Sequence, residues 1–163
     1  MVEVNEEIVR QYLELKGFFV KTDVQYLLAK QETGKKSSGY GDVDILCVHP
    51  NGTRYLVEVK AWHMEAFTPS YFERGEPYVG PLAKKKATEV FNSGDFKTIL
   101  VVPKVGSRSK AEVGDLASKE GIDEIWEFKD ILKELIAGVS QKMSYDSEVL
   151  QVIRLLKRYD FLK

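Results

Sequence analysis

Asp44, Glu58 and Lys60 are the residues of this chain whose types and spacing could do chemistry. They fall in the run GYGDVDILCVHPNGTRYLVEVKAW, residues 39–62, which reads as two β-strands joined by a tight turn at Pro50-Asn51-Gly52. Asp44 lies on the first strand, and Glu58 and Lys60 lie two apart on the second. Side chains alternate along a strand, so Glu58 and Lys60 share one face while Val57 and Val59 take the other. Two carboxylates from neighbouring strands with an ammonium beside them suit a divalent-metal site for phosphodiester hydrolysis. The lysine argues against a structural calcium site, because an ammonium cannot ligate a metal ion and repels it.

Context distinguishes this Glu-x-Lys from its copies. Glu14–Lys16 lies in a helical pattern, where residues two apart diverge. Glu127–Lys129 ends a strand entered from a helix, and Asp95–Lys97 opens a strand after Asn92-Ser93-Gly94; neither has a hairpin partner carrying a second carboxylate. The bland alternative for Asp44, Glu58 and Lys60 is a solvated sheet face with a cross-strand Asp44–Lys60 ion pair worth about 0–1 kcal/mol.

The elements that must position these residues can be read from periodicity. Asn5 is expected to cap a helix running to Lys16, with Ile8, Val9, Tyr12 and Leu13 as its apolar stripe and Gly17 as its left-handed stop. The run FFVKTDVQYLLAK, from about Phe18 to Lys30, is rich in β-branched and aromatic residues and reads as a strand. A polar loop, QETGKKSSGYG, leads into the two site strands, and the short connections favour antiparallel pairing. Residues 63–81, with Phe67, Tyr71, Phe72 and Tyr78 among prolines and glycines, read as a structured loop or short helices rather than a linker.

A basic helix from about Leu82 to Phe91 and the buried strand FKTILVVP follow, then a helix ending at Gly121 and the short strand IDEIWEF. The helix KDILKELIAG and a last one from about Tyr145 to Tyr159 complete the chain. Strands alternating with helices in the second half imply parallel pairing there, so the expected fold is α/β with a mixed central sheet. The reading is of one domain, residues 1–163, with a core of about 5–103 and a C-terminal α/β extension over 104–163.

A chain of 163 residues buries roughly 70% of its unfolded surface and needs no staples. The single cysteine, Cys47, excludes an internal disulfide framework and reads as a buried thiol in a reducing compartment. No apolar run approaches the roughly 20 residues that cross a bilayer, and the acidic start MVEVNEE is unlike a signal peptide, so the expectation is a cytoplasmic protein without a membrane. A net charge of −1 argues against nonspecific coating of nucleic acid but leaves room for local basic patches. Those patches are Lys35 and Lys36 before the Asp44 strand, Lys84, Lys85 and Lys86 opening a later helix, and Lys104, Arg108 and Lys110 around a loop. Trp62 and Trp126 read as packing residues; His63 and His49 are secondary candidates, since a lone histidine near a strand end or turn is usually solvated.

Helix, three strands, helix, strand, with Asp on the second strand and Glu-x-Lys on the third, resembles the PD-(D/E)xK nuclease superfamily, with its archaeal Holliday-junction resolvases and Mrr-type endonucleases. The resemblance covers about residues 5–103. Asp44 matches the motif Asp, with Val43 where a proline is usual, and Glu58 and Lys60 match the second motif intact. Ser37-Ser38-Gly39 is similar to a Ser/Gly loop of the resolvases. The resemblance implies a restriction-endonuclease-like fold and a metal-dependent endonuclease acting on DNA, including branched or structured DNA. RNA is the less expected polymer, and a catalytically silent protein-interaction module is the reading from another class. Resolvase-like nucleases commonly act as dimers, which makes a homodimer a further expectation.

Many members carry an acidic residue early in the first helix. Glu6, Val9 and Leu13 share the sheet-facing side at i, i+3 and i+7, whereas Glu7 aligns with Gln11 and Glu14, so Glu6 is the expected fourth site residue. Asp44, Glu58 and a main-chain carbonyl such as that of Val59 would hold Mg²⁺ or Mn²⁺ with waters. Lys60 would orient or deprotonate the attacking water, or bind the phosphate. Lys35, Lys36, Ser38 and Lys84–Lys86 are the expected nucleic-acid contacts.

Overall fold

Apolar alternation in the strands and apolar stripes on the helices leave this sequence two layers to cover one sheet. The computed structural model, which describes residues 3–34, 36–61 and 65–162, has that arrangement. Its elements in order are α1 (Val4–Leu15), β1 (Phe19–Leu28), the single-turn α2 (Lys30–Thr33), β2 (Gly39–Val48) and β3 (Arg54–Val59). A 3₁₀ turn (Pro69–Arg74), α3 (Pro81–Phe91), β4 (Lys97–Val102) and α4 (Lys110–Lys119) follow, then β5 (Glu124–Glu127), α5 (Phe128–Gly138) and α6 (Glu148–Arg158). The five strands lie in sequence order, antiparallel from β1 to β3 and parallel from β3 to β5. The protein is thus an α/β protein with a mixed five-stranded sheet flanked by helices. Among the described residues no helix is long and apolar enough to cross a membrane.

Both faces of the sheet are covered. Val57, Val59, Ile99 and Val101 pack with Val9 and Leu13 of α1 and Ile131 of α5 on one side. On the other, Leu46 and Leu56 meet Ala83 and Ala87 of α3, while Leu100 and Val102 meet Val113 and Ala117 of α4. Cys47 is buried, and its thiol is pushed up by that burial. α6 closes over α5 with Leu150 and Ile153, and Lys157 donates to the Ile136 and Val139 carbonyls at the α5 C-terminus at 2.8 and 2.7 Å. Val152, Leu155, Tyr159 and Phe161 are left exposed along and just beyond α6.

One reading of local structure needs correction. The α1 cap is Glu3, not Asn5, which lies inside the helix. The stop is as expected: Gly17 is left-handed at φ +87°, and Phe18 donates to the Leu13 carbonyl while Gly17 donates to that of Glu14, closing the helix end. β1 and β2 are also not straight. Val20 packs on the α1 layer but Val24 on the α3 layer; Val43 faces the α3 layer but Ile45 the α1 layer. Residues two apart would ordinarily share a face. The hairpin therefore rotates at Asp23 and Asp44, the one opposed position missing from an otherwise continuous register. Asp23 takes a left-handed φ of +57°, which an aspartate tolerates better than most residues.

Candidate active site

Rotation of the hairpin determines where Asp44 goes. The β2–β3 ladder ends at the Ile45–Val57 pair, one step short of Asp44 and Glu58. There the Asp44 side chain replaces the backbone acceptor: its Oδ2 accepts the Val59 N–H at 2.7 Å. Two strands that would have paired are instead bridged by a carboxylate, with the Glu58 side chain beside it. Lys60 follows directly after β3 and is fixed by its own N–H, which donates to the Val101 carbonyl of β4 at 2.8 Å. Its Nζ lies 2.5 Å from Glu58 Oε1.

This is not a solvated face. Glu58 is only 8% exposed, and its carboxyl is pushed up to about 7, first by burial and then by the neighbouring Asp44. Asp44 is likewise raised by burial, with Lys60 and the Val59 N–H pulling the other way. Burial alone would lower the Lys60 ammonium, but Glu58 and Asp44 outweigh it and hold it above its ordinary value. Glu6, in the first turn of α1, is pushed up to about 7 by burial and by Asp44. Three carboxyls thus share the field of one ammonium. The bland alternative, an exposed Asp44–Lys60 pair, is replaced by a Glu58–Lys60 pair in which Glu58 is buried and Lys60 partly buried.

Glu7 faces away from this group, as helical geometry requires. It binds Arg10 at 2.6 Å and the Gln11 amide at 2.8 Å, and these hydrogen bonds with Arg10 foremost lower its carboxyl. It does not simply meet solvent, however: Gln11 is 5% exposed, at the wall of a cleft shared with Tyr145 and Ser147.

The expected nucleic-acid residues divide. Lys85 and Lys86 line a groove with Tyr26, whose hydroxyl feels Glu58 and Asp44, and with Glu89, which pairs with Lys86 at 3.5 Å. Lys84 turns the other way and donates to the Gly121 carbonyl at 3.0 Å, so it fastens α3 to the end of α4. Lys36 is exposed in the loop before β2, and Ser38 accepts from the Lys30 N–H at 3.4 Å. Lys35, Trp62 and His63 lie outside the described residues. His49 belongs to its turn, accepting the Asn51 N–H through Nδ1 and packing edge-on against Phe18. Trp126 packs against Tyr12.

Tyr26 is the site neighbour that sequence reasoning missed. Its hydroxyl is raised by burial and then by Glu58, Asp42 and Asp44. It crosses the strand to cover Gly41, its register partner, where an added Cβ would fall 2.7 Å from the ring. A tyrosine laid across a strand glycine is a recognised device, and Gly41 in GYGDVD was the available signal. Exposed Asp42 adds further negative charge nearby.

No family model matches the chain, and neither does any curated protein or solved structure. Chemistry must therefore be argued from the site itself. Among the described residues no three His, Cys, Asp or Glu side chains close around one point as a metal cage would. Glu58 is drawn to Lys60, and Asp44 to the Val59 N–H. The donor set is two hard carboxylates, with a third carboxyl near and the Val59 main chain turned toward β2. That suits Mg²⁺ or Mn²⁺, which bind through one or two carboxylates and keep several waters, and it does not suit zinc.

Proposed function

We propose that this protein is a metal-dependent endonuclease of the PD-(D/E)xK type, with a restriction-endonuclease-like fold, hydrolysing phosphodiester bonds in DNA. The observation that carries the proposal is the buried Glu58 carboxylate beside Asp44, balanced by Lys60 at the point where the sheet ladder opens. Burial of this much charge costs stability, so a sheet selected for stability alone would not keep it.

Asp44, Glu58 and the Val59 carbonyl would hold Mg²⁺ or Mn²⁺, whose chemistry when bound is to acidify water and offset charge on the phosphate. The chain's own residues do the rest. Lys60, with its Nζ beside Glu58, orients or deprotonates the attacking water, or binds a phosphate oxygen. Glu6, at the start of α1 and within the field of Asp44, would hold a water or a second ion. Lys85 and Lys86 contribute backbone affinity along the Tyr26 groove.

The test is cleavage of a panel of linear duplex, branched and single-stranded DNA and RNA, with and without chelator. The expected result is DNA cleavage that requires Mg²⁺ or Mn²⁺ and disappears in Lys60→Ala. Cleavage of RNA alone would move the substrate class. Full activity in Lys60→Ala, or no cleavage of any member by the wild type, overturns the proposal; the second result favours a protein-interaction role.

A further inference from the structure

A second concavity shares one wall with this site. Lys60 lines it together with Glu65, Phe67, Tyr71, Arg74 and Tyr78, and its volume is about 150 Å³. It lies where Lys60 leaves β3 and Pro103 leaves β4, at the C-terminal ends of two parallel strands. Ligands of open α/β sheets characteristically bind in crevices there.

The pocket is held firmly. Phe67 donates its N–H to the Lys104 carbonyl at 2.7 Å and bridges to Val105, extending the sheet beyond β4. Phe67 and Tyr78 are buried, and the Tyr78 hydroxyl donates to the Tyr71 carbonyl at 3.0 Å. The aromatic side chains Phe67, Tyr71, Phe72 and Tyr78 are therefore mostly spent on internal packing. What remains accessible is selective. Half-buried Tyr71 stacks on Phe67 with ring centres 4.9 Å apart and planes within 13°. The Arg74 guanidinium lies 4.1 Å from the Tyr78 ring centre.

These features define an occupant. The volume is below the roughly 300 Å³ at which pockets for drug-sized ligands begin. It suits one planar ring system. Aromatic walls with a guanidinium favour a π-face, Glu65 offers an acceptor for ring amino groups, and Lys60 ties the pocket to the proposed phosphate position. We infer that this pocket receives an unstacked nucleobase of the substrate, beside the phosphate to be cleaved. The inference rests on the nuclease reading and gives it a substrate class: DNA with an unpaired or weakly stacked nucleotide at the cleavage position. A fully paired duplex must first break stacking, at about a few kcal/mol.

Two measurements on the full-length chain test it. In the first, an oligonucleotide duplex carrying a bulged 2-aminopurine is titrated in chelator, where no cleavage is needed. Fluorescence should fall as the base stacks, and Tyr71→Ala should weaken that binding about tenfold, the scale of one base–aromatic stack. In the second, kcat/KM is compared for bulged and fully paired DNA. The wild type should prefer the bulged substrate; the ratio should fall toward one in Tyr71→Ala and in Arg74→Ala, and recover in Tyr71→Trp. An abasic site at the bulge should lower wild-type binding and add no further loss to Tyr71→Ala. Arg74 is exposed, so its variant keeps the test decisive if Tyr71→Ala folds poorly. Cleavage without preference for the unpaired nucleotide, or a preference that both variants retain, overturns the pocket while leaving the nuclease reading. Tyr71-dependent quenching without cleavage of any substrate supports the pocket and sinks the nuclease.

Discussion

Replacing Glu58 with glutamine removes a charge from the site while keeping its shape, so it measures what that charge costs the fold. The Glu58 carboxyl is pushed from 4.5 to about 7 by burial and by Asp44. A carboxyl raised on folding binds its proton more tightly in the folded chain. Its contribution is therefore fully present below about 4.5 and is lost as pH rises through about 7. At about 1.4 kcal/mol per pH unit, the gap amounts to about 3 kcal/mol above neutrality. Glutamine imitates the protonated acid and loses nothing over that range. The Lys60 ammonium stays charged throughout, so its lost partner shifts both ends of the comparison alike. Between pH 5 and pH 8, stability relative to wild type should move about 2–3 kcal/mol in favour of Glu58→Gln. For a chain of this size that corresponds to roughly 5–10 °C in relative Tm. Chemical denaturation at both pH values, in chelator, is the assay. Parallel pH profiles for the two proteins would refute the claim that Glu58 is ionised against its surroundings.

Two further outcomes follow from the same geometry. Mg²⁺ or Mn²⁺ should raise Tm more at pH 8 than at pH 5.5, because the ion competes with protons for Asp44 and Glu58, and Asp44→Asn should largely abolish the shift; thermal scans against metal concentration check this. Gly41→Ala should destabilise by about 1–3 kcal/mol, since its Cβ would meet the Tyr26 ring at 2.7 Å, and Gly41→Ala combined with Tyr26→Ala should recover part of that loss in the same denaturation assay.

Much of the frame was legible because its signals are local. The polar turn at Pro50-Asn51-Gly52, the β-branched runs, and the apolar stripe ending at Gly17 each act over a few residues, and the mixed α-β-β-β-α-β order follows from connection lengths. The choice of Glu6 over Glu7 as the carboxyl nearer Asp44 also came from one helix's periodicity. What could not be read depended on pairing between distant segments. The direction of Lys84 depends on the end of α4, and the aromatic pocket on a bridge from Phe67 to Val105. The hairpin rotation was invisible for a different reason: Asp23 looks like any solvent-facing strand residue until its backbone angle is known.

That rotation also limits how the chain can vary. In an ordinary hairpin, adding or removing two residues keeps every side chain on its original side, so such changes are tolerated more readily than single ones. Here the alternate side chains that meet the α3 layer in the outer half, Val24 and Val43, are succeeded in the inner half by Val20 and Ile45, which meet the α1 layer, with Asp23 and Asp44 as the changeover. A two-residue shift of β1 against β2 would carry Val24 or Val43 past the changeover and into the wrong layer. Even-numbered insertions are therefore as damaging as odd ones within these strands. Length variation in this hairpin is confined to the connection outside the two strands, between Leu28 and Gly39.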